Sequence, residues 1–208
     1  MKLMYGYVII LLVVAGCASP INLRNAYAHA DAGDAAMGRG EWALAMRQYA
    51  QAVVNADLGN AEPRFKQSVN YQYGRAMGVL CQYDDSEKYL LRSKQFSEAI
   101  GASPYLALYE LGLVNEKQAK FDKAANYYAE LLPLMEQAGL RSKYPLGAAD
   151  AHERYANALK QTGRPQEAAS QRDAAASIRA SNPHAKPFGT VTPYGTRCSA
   201  TSQVTSNQ

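Results

Sequence analysis

Apolar positions along this chain fall into two regimes. Residues 3–14 are almost wholly apolar. Beyond them, apolar residues recur at helical spacing, and four segments repeat one arrangement of small and large positions. Gly33 is followed at nine, twelve, sixteen and nineteen residues by Trp42, Ala45, Tyr49 and Ala52. At the same offsets Gly74 is followed by Tyr83, Ser86, Leu90 and Ser93, and Gly112 by Phe121, Ala124, Tyr128 and Leu131. The fourth segment, weaker, runs Ala156, Pro165, Ala168, Arg172 and Ala175. The pattern predicts paired helices. A small residue on the first helix lets the second cross closely, a ring opens the second helix, and a further large side chain packs onto the next pair. An Ala-rich bundle would also have apolar faces, such as Tyr89/Leu90, Phe96 and Ile100, but not a four-fold match of offsets.

Local signals agree with helices. Ser103-Pro104 predicts a cap followed by Pro at the first helical position. Gly101 and Gly139 suit helix C-termini, and Pro133 predicts a kink or a helix's final turns. Gly38-Arg39-Gly40 reads as the turn inside the first pair. Asp84-Asp85 reads as a helix start, where acidic residues suit the dipole.

This arrangement resembles the tetratricopeptide repeat (TPR), a helix–turn–helix unit of about 34 residues. The resemblance covers residues 25–180 and implies an all-α, TPR-like solenoid of about four irregular helical hairpins. Its best match is the third segment, from Leu108 to Tyr128, and its poorest is the fourth, as expected of a terminal repeat whose outer face meets water. The period departs from the family. Trp42 to Tyr83 is 41 residues, Tyr83 to Phe121 is 38 and Phe121 to Pro165 is 44. The excess lies around residues 58–63 and 139–147, so either the helices are long or the junctions carry loops.

Val14-Ala15-Gly16-Cys17 closes the apolar N-terminal stretch and resembles the lipobox of bacterial lipoproteins. Lys2 is a minimal positive region. As a helix, residues 3–18 would reach only about 24 Å, and a membrane span needs about 20 apolar residues. The segment therefore reads as a signal, residues 1–16, with Cys17 as the lipid-bearing residue and residues 17–24 as a lipidated tether. An ordinary secretory signal and an uncleaved anchor are the alternatives. Two or three acyl chains anchor stably where one does not. In Gram-negative lipoproteins an Asp after the cysteine retains the protein in the inner membrane. Ala18 stands there instead, which implies the outer membrane, facing the periplasm.

Composition narrows the classes. The formal net charge is +4, and no Lys/Arg run exists, so nucleic acid is not an implied partner. Fifteen Tyr are many for this length; in helical repeats they fill helix contacts or line a groove. From Ser181 onward Ser and Thr dominate and Pro recurs, which predicts a disordered tail over residues 181–208. Truncation after Ala180 is then expected to leave folding unchanged. Cys81 and Cys198 remain beside Cys17. An oxidising compartment permits their pairing, but with Cys198 in such a tail the expectation is two free thiols, Cys81 half-buried.

Catalytic chemistry is hard to find. His152-Glu153 lacks a second His at zincin spacing, His29, His152 and His184 lie in different segments, and neither a P-loop nor a Gly-x-Ser-x-Gly elbow occurs. No metal and no cofactor beyond the covalent lipid are implied. The TPR resemblance instead implies a groove lined by the first helix of each pair. Its candidate partner-binding residues are Tyr27, Asp34 and Met37 in repeat one, Tyr71 and Arg75 in repeat two, and Tyr109, Leu113 and Glu116 in repeat three. Asn157, with Glu153 and Lys160, represents repeat four. The set lacks the Lys/Asn pattern of repeats that clamp a C-terminal carboxylate. It implies a non-enzymatic scaffold for protein partners of the cell envelope, similar to TPR lipoproteins that act as pilotins, in outer-membrane protein assembly, or as adaptors for cell-wall enzymes. The alternatives are a cell-wall enzyme or peptidoglycan-binding protein that uses the array as support, and a self-assembling structural protein.

Overall fold

A computed structural model describes residues 19–186 and 191–198. Among them are nine helices and no strand: α1 Pro20–Gly38, α2 Trp42–Leu58, α3 Pro63–Val79, α4 Tyr83–Ala99, α5 Tyr105–Lys117, α6 Phe121–Gln137, α7 Leu140–Lys143, α8 Pro145–Gln161 and α9 Pro165–Ser181. The pairs α1/α2, α3/α4, α5/α6 and α8/α9 are hairpins. They stack through α2 on α3, α4 on α5 and α6 on α8. Trp42, Tyr83, Phe121 and Pro165 each begin the second helix of a hairpin, as the repeat pattern predicts. The long period has both causes. Six of the helices run 17 residues, and α7 is inserted before the fourth hairpin.

Hairpin crossings explain the small residues. A Cβ on Gly33 would lie 2.7 Å from the Tyr49 ring, and one on Gly74 2.8 Å from Leu90 Cγ. One on Gly112 would collide with the Tyr128 ring, and would lie 2.8 Å from its hydroxyl oxygen. In the fourth hairpin Arg172 points to solvent in place of a ring, so Ala156 can carry its methyl group. The apolar interior is a chain of clusters rather than one core. Ala26, Val53 and Val69 pack at one end, Val79, Leu90 and Leu111 in the middle, and Leu131, Leu159 and Ala168 beyond.

Each hairpin turn places one residue in the left-handed region, seven positions after the small crossing residue. These are Gly40 (φ 73°), Cys81 (φ 68°), Ala119 (φ 55°) and Gly163 (φ 73°). Glycine adopts this conformation freely; a residue with a Cβ does so at a cost. Cys81 therefore occupies a strained turn that repeats one and four give to glycine.

Three local expectations need correction. Helix α1 starts at Pro20, with Ser19 Oγ accepting from the Asn22 amide at 3.4 Å, so residues 20–24 of the expected tether are helical. Helix α5 starts at Tyr105, and Ser103 does not cap it; Pro104 occupies the cap position. The tail is not without structure: residues 191–198 dock on the array, and Cys81 and Cys198 form a disulfide with Cα atoms 5.1 Å apart. Residues 1–18, Cys17 among them, lie outside the described residues.

Candidate partner-binding groove

Equivalent positions on the first helices form rows along the inner wall of the solenoid. One residue after the crossing position come Asp34, Arg75, Leu113 and Asn157. Four residues after it come Met37, Gly78, Glu116 and Lys160. The second row contains a gap, because repeat two has Gly78 where its neighbours have long side chains. Tyr194 fills that gap. Its ring lies against Gly78, where an added Cβ would collide with it, and the residue is 2% exposed.

Tyr194 belongs to the docked segment, which lies over α3 and α5. The Gly195 amide donates to Gly78 O at 3.4 Å and the Arg197 amide to Val79 O at 3.1 Å. These carbonyls belong to the last turn of α3; Gly78 O also accepts from the Cys81 amide at 3.1 Å. The Thr192 hydroxyl accepts from Arg75 Nε at 2.9 Å and donates to Glu110 Oε1 at 2.9 Å. Glu110 is 4% exposed, pairs with Arg75 at 3.2 Å and accepts from the Tyr71 hydroxyl at 3.2 Å. The Arg75 guanidinium also lies 5.4 Å from the Tyr71 ring centroid. Burial lowers the Arg75 pKa, but Glu110 and the surrounding tyrosines more than offset it, so the net shift is upward.

The predicted residues divide accordingly. Arg75, Tyr71 and Met37 come together around the tail, with Arg75 Nη1 3.8 Å from the Met37 sulfur. Leu113, Glu116 and Asn157 line a cleft of about 510 Å³ beside it, closed on the other side by Val191, Thr192 and Tyr194. Glu116 accepts from the Tyr128 hydroxyl at 2.8 Å and pairs with Arg154 at 2.9 Å. Burial raises its pKa above the usual carboxylate value, against the pull of those two partners. Tyr109 packs between the middle clusters. The remaining candidates serve the frame. Asp34 accepts from the Tyr49 hydroxyl, Tyr27 sits with its ring centroid 4.2 Å from that of Phe65, and Glu153 pairs with Arg179 on α9. Lys160 is exposed on α8.

Sequence reasoning missed Glu110, Gly78, Thr192, Tyr194 and Arg154. The signal for Gly78 was present as a second glycine four residues after Gly74; a Cβ there would meet both the Tyr194 ring and, at 2.8 Å, Ser86 Oγ on α4. The histidines hold the frame too. His29 Nδ1 lies 2.8 Å from Gln48 Oε1 and His152 Nδ1 2.7 Å from Gln171 Oε1, the same clamp in repeats one and four. Among the described residues no three His, Cys, Asp or Glu side chains gather as a metal site, and no helix is long and apolar enough to cross a membrane.

The buried tyrosines make stability sensitive to alkali. Burial, with nearby carboxylates, pushes the phenols of Tyr49, Tyr71, Tyr128 and Tyr194 above their ordinary range, and Tyr127 up to about 12. Above pH about 10 the unfolded chain therefore loses phenolic protons that the folded chain keeps. The stability these groups contribute is full below that pH and falls as pH rises beyond it. Urea midpoints should be level between pH 8 and 9.5 and drop steeply by pH 11, with phenolate absorbance rising as helix signal is lost. Phenols that all titrate near pH 10 with helices intact would contradict the burial.

No protein-family model matches the sequence, and no curated protein matches it. Solved structures with the same fold include BtubC (BKLC) from P. vanneervenii, with TM-score 0.71, 15% identity and 80% of this chain aligned to 67% of that one. MamA follows with TM-score 0.62, 18% identity and coverage of 76% and 81%. A Podosopora anserina protein described as a kinesin light chain with nearly identical TPR-like repeats gives 0.64, 14% identity, and 86% and 82%. The fold is thus a TPR-like solenoid.

Proposed function

We propose that this chain is a lipid-anchored scaffold of the bacterial outer membrane, facing the periplasm, which acts by holding a segment of an envelope protein in its groove. The observation that supports the reading is the occupied groove: its inner wall already binds a short peptide, residues 191–198, folded through a turn at Pro193–Thr196 and held by a buried ring, a shared hydroxyl and two backbone hydrogen bonds. Peptide recognition combines main-chain hydrogen bonds, which give affinity, with side-chain pockets, which give specificity. The lipobox at Cys17 supports the anchor, and Ala18 the outer membrane. The finer role is assistance in pilus or secretion assembly, in the manner of pilotins.

The test combines anchor and groove. With a photocrosslinker at Asn157, which is exposed and lines the open cleft, the chain should take up an alkyne fatty acid, sediment with outer membranes and yield one dominant crosslinked envelope protein. Cys17→Ala should abolish the label and leave a slower-migrating precursor. Unchanged labelling in that variant would refute the anchor. A crosslinking pattern identical to that of a site on the outer face of α9 would refute the groove.

A further inference from the structure

We propose that residues 191–198 are a tethered ligand that closes the groove, and that reduction of the Cys81–Cys198 disulfide by a protein dithiol opens it to partner segments of the form Thr-x-Tyr-Gly. The proposal rests on the groove being the partner site and adds its regulation and its preferred ligand.

Four observations carry it. First, the bridge is placed where the fold does not favour it. Cys81 stands in the left-handed turn position that glycine fills in repeats one and four, and its sulfur is joined to one 117 residues away. Ala119 meets the same cost in repeat three, but only the turn at Cys81 is covalently joined to the groove occupant. Second, the docked segment is weakly held apart from that bond. Only Thr192 and Tyr194 are buried, while Val191, Pro193, Thr196 and Arg197 face solvent. Ordering eight residues costs more than one buried ring and a few hydrogen bonds return, so the covalent link decides whether the tail stays. Third, both cysteines are half-exposed at the open end of α3, within reach of an attacking thiolate. Fourth, the contacts define the ligand. The Gly78 gap takes an aromatic ring, the Arg75–Glu110 pair takes a hydroxyl two residues earlier, and the Gly78 and Val79 carbonyls take backbone amides. The residue after the ring adopts φ 76° beside the Tyr83 hydroxyl, which selects glycine.

The chemistry balances. A thiolate of the dithiol attacks Cys198 Sγ and expels the Cys81 thiolate, which leaves a mixed disulfide. The second thiol of the reductant then attacks its own sulfur in that mixed disulfide and expels the Cys198 thiolate. Two electrons pass to the bridge, the dithiol becomes a disulfide, and the two released thiolates take up the two protons that the dithiol gave up.

The experiment uses the full chain and a fluorescein-labelled peptide of residues 191–198 carrying Cys198→Ser, so it needs no knowledge of the natural partner and can fail independently of the envelope reading. Fluorescence polarisation should report no binding to the oxidised chain. After dithiothreitol, or in the Cys198→Ser chain without it, polarisation should rise with chain concentration up to the millimolar range, since a segment that leaves the groove in cis binds only weakly in trans. The same peptide with Tyr194→Ala should bind at least ten-fold more weakly. Hydrogen exchange on the parent, before and after reduction, should show residues 191–198 losing protection altogether, while α3 and α5 stay protected and fall only in step with global stability. Equal peptide binding by oxidised and reduced chains would overturn the proposal, as would binding by neither. A tail that stays protected after reduction would also overturn it. So would complete loss of protection in α3 and α5 together with the tail, which would make the bridge a structural brace only.

Discussion

Gly112→Leu should be among the most destabilising single changes in this chain. The Tyr128 ring lies over Gly112, so any side chain there displaces it. That ring is fully buried in the densest cluster, and its hydroxyl donates to Glu116, which also holds Arg154. Overpacking costs about 1–3 kcal/mol or more, and separating a buried hydroxyl from a charged acceptor adds about 1.5–3 kcal/mol. A loss of about 3 kcal/mol or more lowers the melting temperature of a chain of this size by roughly 6–12 °C. Gly38→Leu is the matched control. Gly38 ends α1 in solvent, and a Cβ there meets no atom within 4 Å, so its melting temperature should stay within about 2 °C of the parent. Equal melting of the two variants would show that the helix crossing is not where the structure puts it.

Removing the tail should also destabilise the fold. Deletion of residues 187–208 eliminates both the Tyr194 plug and the Cys81–Cys198 bridge. The noncovalent balance alone does not favour docking. Ordering eight residues costs about 1–2 kcal/mol each, whereas burying one large side chain returns about 1.5–3 kcal/mol and each hydrogen bond about 0.5–1.5 kcal/mol. The bridge changes this by restricting the tail before folding; closing a loop this long is worth about 2–5 kcal/mol. Cys198→Ser and the deletion should therefore each melt lower by about 3 kcal/mol, roughly 6–12 °C, with far-UV helix signal retained at 25 °C. An unchanged melting temperature would mean that the docked segment contributes nothing to stability, as its composition alone suggests.

Much of the frame is legible in the residues. The offsets from Gly33, Gly74, Gly112 and Ala156 locate the start of the second helix in all four hairpins, because a close crossing needs a small residue and the facing ring sits at a fixed helical distance from it. The same periodicity places Arg75, Leu113 and Asn157 on one row. The helix limits were less legible. Pro20 starts α1 inside the expected tether, and Tyr105 rather than Pro104 starts α5; neighbouring cap and turn residues compete there by small energies that packing decides.

What fills the groove could not be read from the chain. Gly78 announces a gap, but a gap does not name its occupant. The tail's few apolar residues are a sound local argument against a core, yet one tyrosine, one threonine and one cysteine are enough when each meets a prepared site. Arg75, Glu110 and Thr192 are far apart in sequence and become partners only when α3, α5 and the tail are stacked. The helices and their pairing follow from contacts between near neighbours, which the period of small and large residues encodes. The docked tail and its disulfide depend on a closure over 117 residues, which no local pattern specifies and only the assembled solenoid brings within reach.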